Sequence, residues 1–202
     1  MGPLEMKFPV KVADMCDRVE ADAILRGADA LVHMGAIPGP MSGATTAYDD
    51  RGLFRNNVES TLNLFLSAAE HKLRRIVFSS SAFVWFTYAG REDMSETLPW
   101  HDNAKADNWG EELRYLPIDE NHPTRPTETY GLSKAIGEEI GRMVSRTSDT
   151  TVAALRFSNA PDLEQHREFP VAATAEDGSH GGRPLSLVMW AYADPRDVVD
   201  AH

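Results

Sequence analysis

Cysteine is nearly missing from this chain of 202 residues: only Cys16 is present. One thiol cannot form an internal disulfide, and a metal site built on several thiolates is ruled out. No stretch approaches the about 18 consecutive apolar residues that span a bilayer, and the opening "MGPLEMKFPV" lacks the charged and apolar regions of a signal peptide. These absences set the expectation of a soluble, cytoplasmic protein with no membrane partner. Basic residues are scarce beside acidic ones, 20 against 31, for a net charge of −11. Nucleic-acid affinity comes largely from Lys and Arg neutralising phosphates, so no nucleic-acid partner is expected. A small anionic ligand held in a local site stays compatible with that charge.

What is present has an ordinary globular balance, 42% hydrophobic and 25% charged. Short apolar runs alternate with helical patterns. "KFPVKVA" (7–13) predicts a strand, and "RVEADAILRG" (18–27) a short helix closed by Gly27. "ADALVHMGA" (28–36) is a second apolar run. Leu53/Phe54, Val58, Thr61/Leu62, Phe65 and Ala69 recur every three or four residues, the stripe of a helix facing a core. Asp49 and Asp50 stand where a capping carboxylate would start it. "RRIVFSSS" (74–81) predicts a buried strand, 129–146 a helix and "TTVAALRFS" (150–158) another strand. Strands separated by helices of this length imply crossover connections and a parallel α/β sheet. The connection from Ser81 to Tyr130 is long and rich in Trp, Asp and Pro, a kind of loop that often contributes to function. Trp85, Trp100 and Trp109 lie in it, and we expect them to pin the loop to the body.

In "TETYGLSKAIGEEIGR" (127–142), Tyr130 precedes Lys134 by four residues at a helix start. That spacing puts phenol and ammonium on one face. A free phenol titrates at about pH 10, and a neighbouring cation favours the phenolate, so the pair predicts a proton donor and acceptor at Tyr130.

Six motifs then follow in order: "ADMCD", "GADALVHMGA", "NNVESTLNLFLSAAEHKLRRIVFSSSA", "YGLSK", "ALRFSNA" and "WAYADPRDVVDAH". Together they resemble the extended short-chain dehydrogenase/reductase family of NAD-dependent epimerases and dehydratases. The resemblance runs from about residue 10 to the end. It implies a Rossmann-like doubly wound parallel sheet over residues 1–158. Residues 159–202 would begin the substrate lobe and return the chain to the sheet. The resemblance makes Tyr130 the acid/base, Lys134 the residue that lowers its pKa and holds the nicotinamide ribose, and Ser81 a hydroxyl bonded to the reacting oxygen. By the same matching, Asp14 and Met15 contact adenine, and Met34, Gly35 and Ala36 line the cofactor. Asn57 and Phe157 lie near the nicotinamide, and Asn159 meets the substrate. The implied cofactor is NAD, with NADP left open; no metal is implied. The implied substrate is a small molecule, a sugar or nucleotide sugar. Pairing of helices 53–71 and 129–146 into a homodimer is also implied, through outer residues such as Leu64 and Leu66.

The chain departs from that family in one important respect. None of its 14 glycines forms Gly-x-Gly-x-x-Gly or Gly-x-x-Gly-x-x-Gly, the turn that seats the pyrophosphate at a helix N-terminus. The first strand matches the family's third, so the expected fold is N-terminally truncated, with an incomplete substrate lobe. The family's Tyr-Gly after the serine strand is Trp85-Phe86 here. Three readings remain open. The chain is an oxidoreductase of this family, or a catalytically impaired member kept as a binding or regulatory module. The third is an unrelated hydrolase in which Lys134 activates Ser81.

Overall fold

A computed structural model of the chain describes residues 9–38, 49–85, 119–126, 128–157 and 195–202. In chain order these form α1 (Arg18–Leu25), β1 (Ala30–His33), α2 (Asp50–Glu70) and β2 (Arg75–Ser79). A 3-10 turn (Ala82–Val84), α3 (Thr129–Thr147), β3 (Thr151–Leu155) and α4 (Pro195–Ala201) follow. The strands make a parallel sheet in the order β1-β2-β3. Leu31, Ile76 and Val152 share one row of the register, and His33, Phe78 and Ala154 another.

Local chemistry explains the helix starts. Asp17 caps α1 by accepting from the Val19 amide at 2.7 Å, and Asp49 caps α2 through the Gly52 amide at 2.6 Å. Glu128 caps α3, accepting from the Tyr130 amide at 2.7 Å and from the Gly131 amide. Gly27, with φ of +80°, lets the chain turn out of α1 without a Cβ clash.

The helices α1, α2 and α3 build the core against one face of the sheet. Ala21, Leu25, Leu64, Phe65, Ala68, Ile76, Phe78, Ile140 and Val144 form one buried cluster. Side chains alternate along a strand, so Ser79 belongs to the opposite face from Ile76 and Phe78. There it meets His202, at the end of α4, at 2.6 Å. The α/β layering therefore has helical chain on both faces, although Val32 is still 48% exposed.

Two expectations are corrected. Residues 9–13 join no strand, and Val10 and Val12 are exposed, Val12 almost fully (99%). An apolar alternation becomes a strand only where a neighbour supplies a ladder, and no described strand lies beside this one. Lys7 and Phe8 are outside the described residues. Leu64 does not face outward: it is buried in the chain's own core, one turn from Ala68. Leu62 and Leu66 are the exposed leucines of α2, and Leu132 and Met143 are exposed on α3.

Candidate active site

Because the three strands are parallel, their carboxyl ends bring residues 34–36, 79–81 and 156–157 to one edge of the sheet. That edge is where open α/β sheets bind ligands. The Ala82 amide donates to the Phe157 carbonyl at 3.1 Å, tying the ends of β2 and β3 together. The first turn of α3 lies against the 3-10 turn, with the rings of Phe83 and Tyr130 edge to face at 6.1 Å. This approach needs Gly131, because a Cβ there would overlap the Phe83 carbonyl oxygen.

Tyr130, Ser81 and Lys134 meet at this edge. The Ser81 hydroxyl lies near enough to the Tyr130 phenol to draw its pKa down, and Ser81 Oγ accepts from the Phe83 amide at 3.2 Å. Lys134 is buried; its Nζ donates to the Ser79 carbonyl at 2.8 Å and lies 5.6 Å from the centre of the Tyr130 ring. Burial pushes the ammonium down to about 8. The phenol moves up: burial raises it, the nearby Ser81 hydroxyl pulls it back, and the Glu128 carboxylate raises it further. The expectation that Lys134 lowers the Tyr130 pKa is therefore not met in this arrangement. The cation is engaged by a carbonyl and the phenol is desolvated. The same geometry separates Lys134 from Ser81 in hydrogen bonding, which removes the basis of the hydrolase reading.

Asn57 has a role the sequence did not reveal. It is 3% exposed, and its amide clamps Ile37, accepting from the backbone N–H at 2.7 Å and donating to the carbonyl at 2.9 Å. It also donates to Ser133 Oγ at 3.2 Å, and Ser133 donates to the Tyr130 carbonyl at 2.7 Å. With both ends of its amide engaged inside the protein, Asn57 positions the segment after β1 rather than presenting itself to a ligand. His33 extends this network. Thr61 donates its one hydroxyl proton to the Asn57 carbonyl at 2.6 Å, so it must accept from His33 Nε2 at 2.9 Å. That bond fixes the Nε2–H tautomer. Burial, and secondarily the Lys134 charge, push His33 down to about 4, so it is neutral at physiological pH.

The other expected residues fall in three places. Met34 and Gly35 are exposed at the end of β1, and Ala36 is half-buried. A side chain added at Gly35 would meet only His33 Cε1, at 3.9 Å, so the backbone there is open to close approach. Asp14 accepts from the Cys16 amide at 2.9 Å in a turn held to α2 by Asn63, which donates to the Met15 and Cys16 carbonyls at 3.1 Å each. The Met15 side chain packs against the core. Phe157 stands at the end of β3 against His202, with ring centres 5.5 Å apart. Asn159, Trp100 and Trp109 lie outside the described residues.

The sequence reading missed a buried ion pair beside these groups. Glu138 accepts from Ser80 Oγ at 2.6 Å and from Arg156 Nε and Nη2 at 2.8 and 2.6 Å. Burial raises its pKa, but the Arg156 and Ser80 hydrogen bonds outweigh burial and hold the carboxyl below its ordinary value. The available signal was Arg156 itself, a charge in the apolar run "VAALRF", and a carboxylate one helical turn beyond Lys134.

A parallel α/β sheet with a serine, a tyrosine and a lysine gathered at its carboxyl edge defines the short-chain dehydrogenase/reductase class. The family model described as "NAD dependent epimerase/dehydratase family" matches residues 5–105, and the chain belongs to that family. It is 32% identical over 103 residues to a putative UDP-glucose 4-epimerase of Methanocaldococcus jannaschii, covering 51% of this chain and 26% of that protein. It is 28% identical over 160 residues to the NAD-dependent glucose-6-phosphate dehydrogenase of Haloferax volcanii, covering 79% of this chain and 54% of that one. A short-chain dehydrogenase/reductase superfamily protein from Agrobacterium tumefaciens, solved with bound NAD, superposes with a TM-score of 0.54 at 28% identity. That match covers 74% of this chain and 37% of the other. The chain thus spans about half, or less, of the length of these relatives.

Among the described residues, no helix is long and apolar enough to cross a membrane.

Proposed function

We infer that the chain carries the acid/base centre of an NAD(P)-dependent oxidoreductase of the epimerase/dehydratase kind, acting on a hydroxyl or carbonyl of a sugar or nucleotide sugar. The supporting observation is the gathering of Ser81, Tyr130 and Lys134 at the carboxyl edge of a parallel sheet, with the Lys134 ammonium 5.6 Å from the centre of the Tyr130 ring. The residues fit the nicotinamide end of the cofactor: the open backbone at Gly35, the ammonium of Lys134 for a ribose, and the ring of Phe157. NAD, when bound, supplies the hydride acceptor and donor. Ser81 holds the reacting oxygen by its hydroxyl. Tyr130, neutral because burial raises its pKa, gives that oxygen a proton in the reducing direction. In the oxidising direction Tyr130 takes the proton, and Lys134 assists if its ammonium leaves the Ser79 carbonyl for the phenol and ribose. Asn57 and Ser133 keep the β1 end and the first turn of α3 in fixed relation.

Exposed Leu62, Leu66, Leu132 and Met143 on α2 and α3 support a homodimer through these helices. We place the protein in the cytoplasm, in keeping with its single cysteine and acidic charge. The missing glycine-rich turn favours a second reading, a binding or regulatory module without turnover. One assay separates the two. NADH formation or sugar interconversion is measured with UDP-glucose, UDP-arabinose, a uronate and glucose 6-phosphate, for the chain and for Tyr130→Phe. With NAD⁺ supplied in large excess, since this chain should bind it weakly, the enzyme reading expects turnover that falls by about 10²–10⁴-fold in the variant. No turnover on any of them, or a loss below about tenfold, overturns it.

A further inference from the structure

The helix that carries Tyr130 and Lys134 starts on a carboxylate. Glu128 stands at the N-cap of α3 in extended backbone, half-buried, and its side chain accepts from the Tyr130 amide at 2.7 Å and from the Gly131 amide. Its main-chain carbonyl takes the Leu132 amide at 3.0 Å, the first bond of the helix. A Cβ placed on Gly131 would overlap the Phe83 carbonyl oxygen and come within 2.8 Å of Glu128 Oε1. The first turn is therefore gripped from two sides, by the carboxylate and by the 3-10 turn, with the Tyr130 ring edge to face on Phe83.

Capping alone does not call for this residue. Ser, Thr, Asn and Asp are the preferred N-caps, and a neutral hydroxyl or amide satisfies the same donors. Glu128 instead bears a desolvation cost: burial raises its pKa, the Gly131 and Tyr130 amides pull it back, and the Asp50 charge raises it again. What it adds over a neutral cap is a negative charge beside the phenol. Two charged side chains are placed against that phenol. Lys134 lies 5.6 Å from the ring centre but is engaged by the Ser79 carbonyl, whereas the Glu128 carboxylate opposes phenolate formation. The neighbours Ser81 and Phe83 are uncharged. Asp50 of α2 acts on Glu128, neutral His33 of β1 faces Lys134, and Arg156 beyond β3 is paired with Glu138.

We propose that Glu128 is a positioning residue of the acid/base centre, a charged cap that aims the Tyr130 phenol and holds its proton in place, favouring proton donation to a carbonyl over abstraction from a hydroxyl. The proposal rests on the enzyme reading above, but its test needs neither cofactor nor turnover. Fluorotyrosine replaces all five tyrosines; its phenol ionises in a milder pH range, and fluorine NMR follows each ring, with Tyr130 assigned by its loss in Tyr130→Phe. In Glu128→Ser and Glu128→Gln, which keep a capping oxygen without the charge, the Tyr130 phenol should titrate at lower pH than in the wild type. Glu128→Asp, which caps with charge, should keep the wild-type titration. Hydrogen exchange at the Tyr130 and Gly131 amides should stay within about twofold of wild type in Glu128→Ser and Glu128→Asp, and quicken by about fivefold in Glu128→Ala. A phenol that is unmoved or moves to higher pH in both uncharged variants overturns the proposal, as does unchanged exchange in Glu128→Ala. A downward shift in a chain that shows no turnover would count against the enzyme reading and leave the action of Glu128 on Tyr130 standing.

Discussion

The ammonium of Lys134 donates to the main-chain carbonyl of Ser79 at 2.8 Å, and this bond holds a buried cation at the carboxyl end of the central strand. Its burial lowers the lysine from 10.5 to about 8. The folded pKa is depressed below the unfolded value, so between these limits the unfolded chain binds more protons. Stability must then rise with pH across about 8 to 10.5, by up to about 3 kcal/mol, and the full penalty applies below that window. Urea unfolding at several pH values should show this rise in the wild type and lose it in Lys134→Met. Equal slopes in the two proteins would show that Lys134 is not buried as a cation.

Asn57 should behave as a clamp. Asn57→Ala removes four side-chain hydrogen bonds and strands the Ile37 amide and carbonyl, at a cost of about 2–3 kcal/mol. Hydrogen exchange at the Ile37 amide should accelerate in step with that loss. Unchanged exchange at Ile37 would return Asn57 to the ligand-facing role that the family resemblance implied.

Much of this architecture was legible because it rests on local signals. The α2 stripe, the capping aspartate at 49 and the Tyr130–Lys134 spacing each follow from a few neighbouring residues. The errors arose where the answer depends on distant partners. The run at 9–13 alternates like a strand yet has none beside it to pair with. Leu64 and Leu66 are equally apolar, and only the helix phase relative to Phe65 and Ala68 decides which is inside. Lys134 was expected to serve Tyr130, but the carbonyl it meets belongs to β2, more than 50 residues away in sequence. The Glu138–Arg156 pair escaped notice for the same reason.

The glycines of α3 set how closely it approaches the sheet. A Cβ at Gly131 would overlap the Phe83 carbonyl oxygen, and one at Gly137 would come within 2.5 Å of the Phe78 ring. Backbone yields less readily than a ring edge, so Gly131→Ala should be the more damaging change. We expect about 2–3 kcal/mol for Gly131→Ala and less for Gly137→Ala, where helix propensity offsets part of the strain. Denaturant midpoints for the two variants would reveal a reversed order if the packing is otherwise.

The chain as given should bind NAD⁺ and NADH weakly. By the family resemblance Asp14, Met15 and Lys134 would address only the two ends of the dinucleotide, while the sequence has no glycine-rich turn for the diphosphate and carries a net charge of −11. Losing several charge-assisted hydrogen bonds, each about 1.5–3 kcal/mol, moves a micromolar affinity to millimolar or weaker. Calorimetric titration showing micromolar binding would reveal a substitute phosphate site in this chain.

The Glu138–Arg156 pair joins α3 to the end of β3, and both side chains are nearly inaccessible, 4% and 10% exposed. Breaking a buried pair from one side leaves the other charge without compensation, which costs about 3–5 kcal/mol. Glu138→Gln keeps the shape and a bond to Ser80 but removes the charge, so its melting temperature should drop clearly at neutral pH. The acid limb gives an independent check. Glu138 is held below its ordinary pKa, so its contribution is present above about 4.5 and is lost as the pH falls through the depressed folded value. Between neutral and strongly acidic pH the wild type should therefore lose more stability than Glu138→Gln. Replacing both partners with apolar residues, Glu138→Leu with Arg156→Met, should recover much of the single-variant loss, because no charge is then stranded. If the double variant is no better than Glu138→Gln, the pair contributes through shape and hydrogen bonding to Ser80, and compensation of buried charge is the wrong explanation.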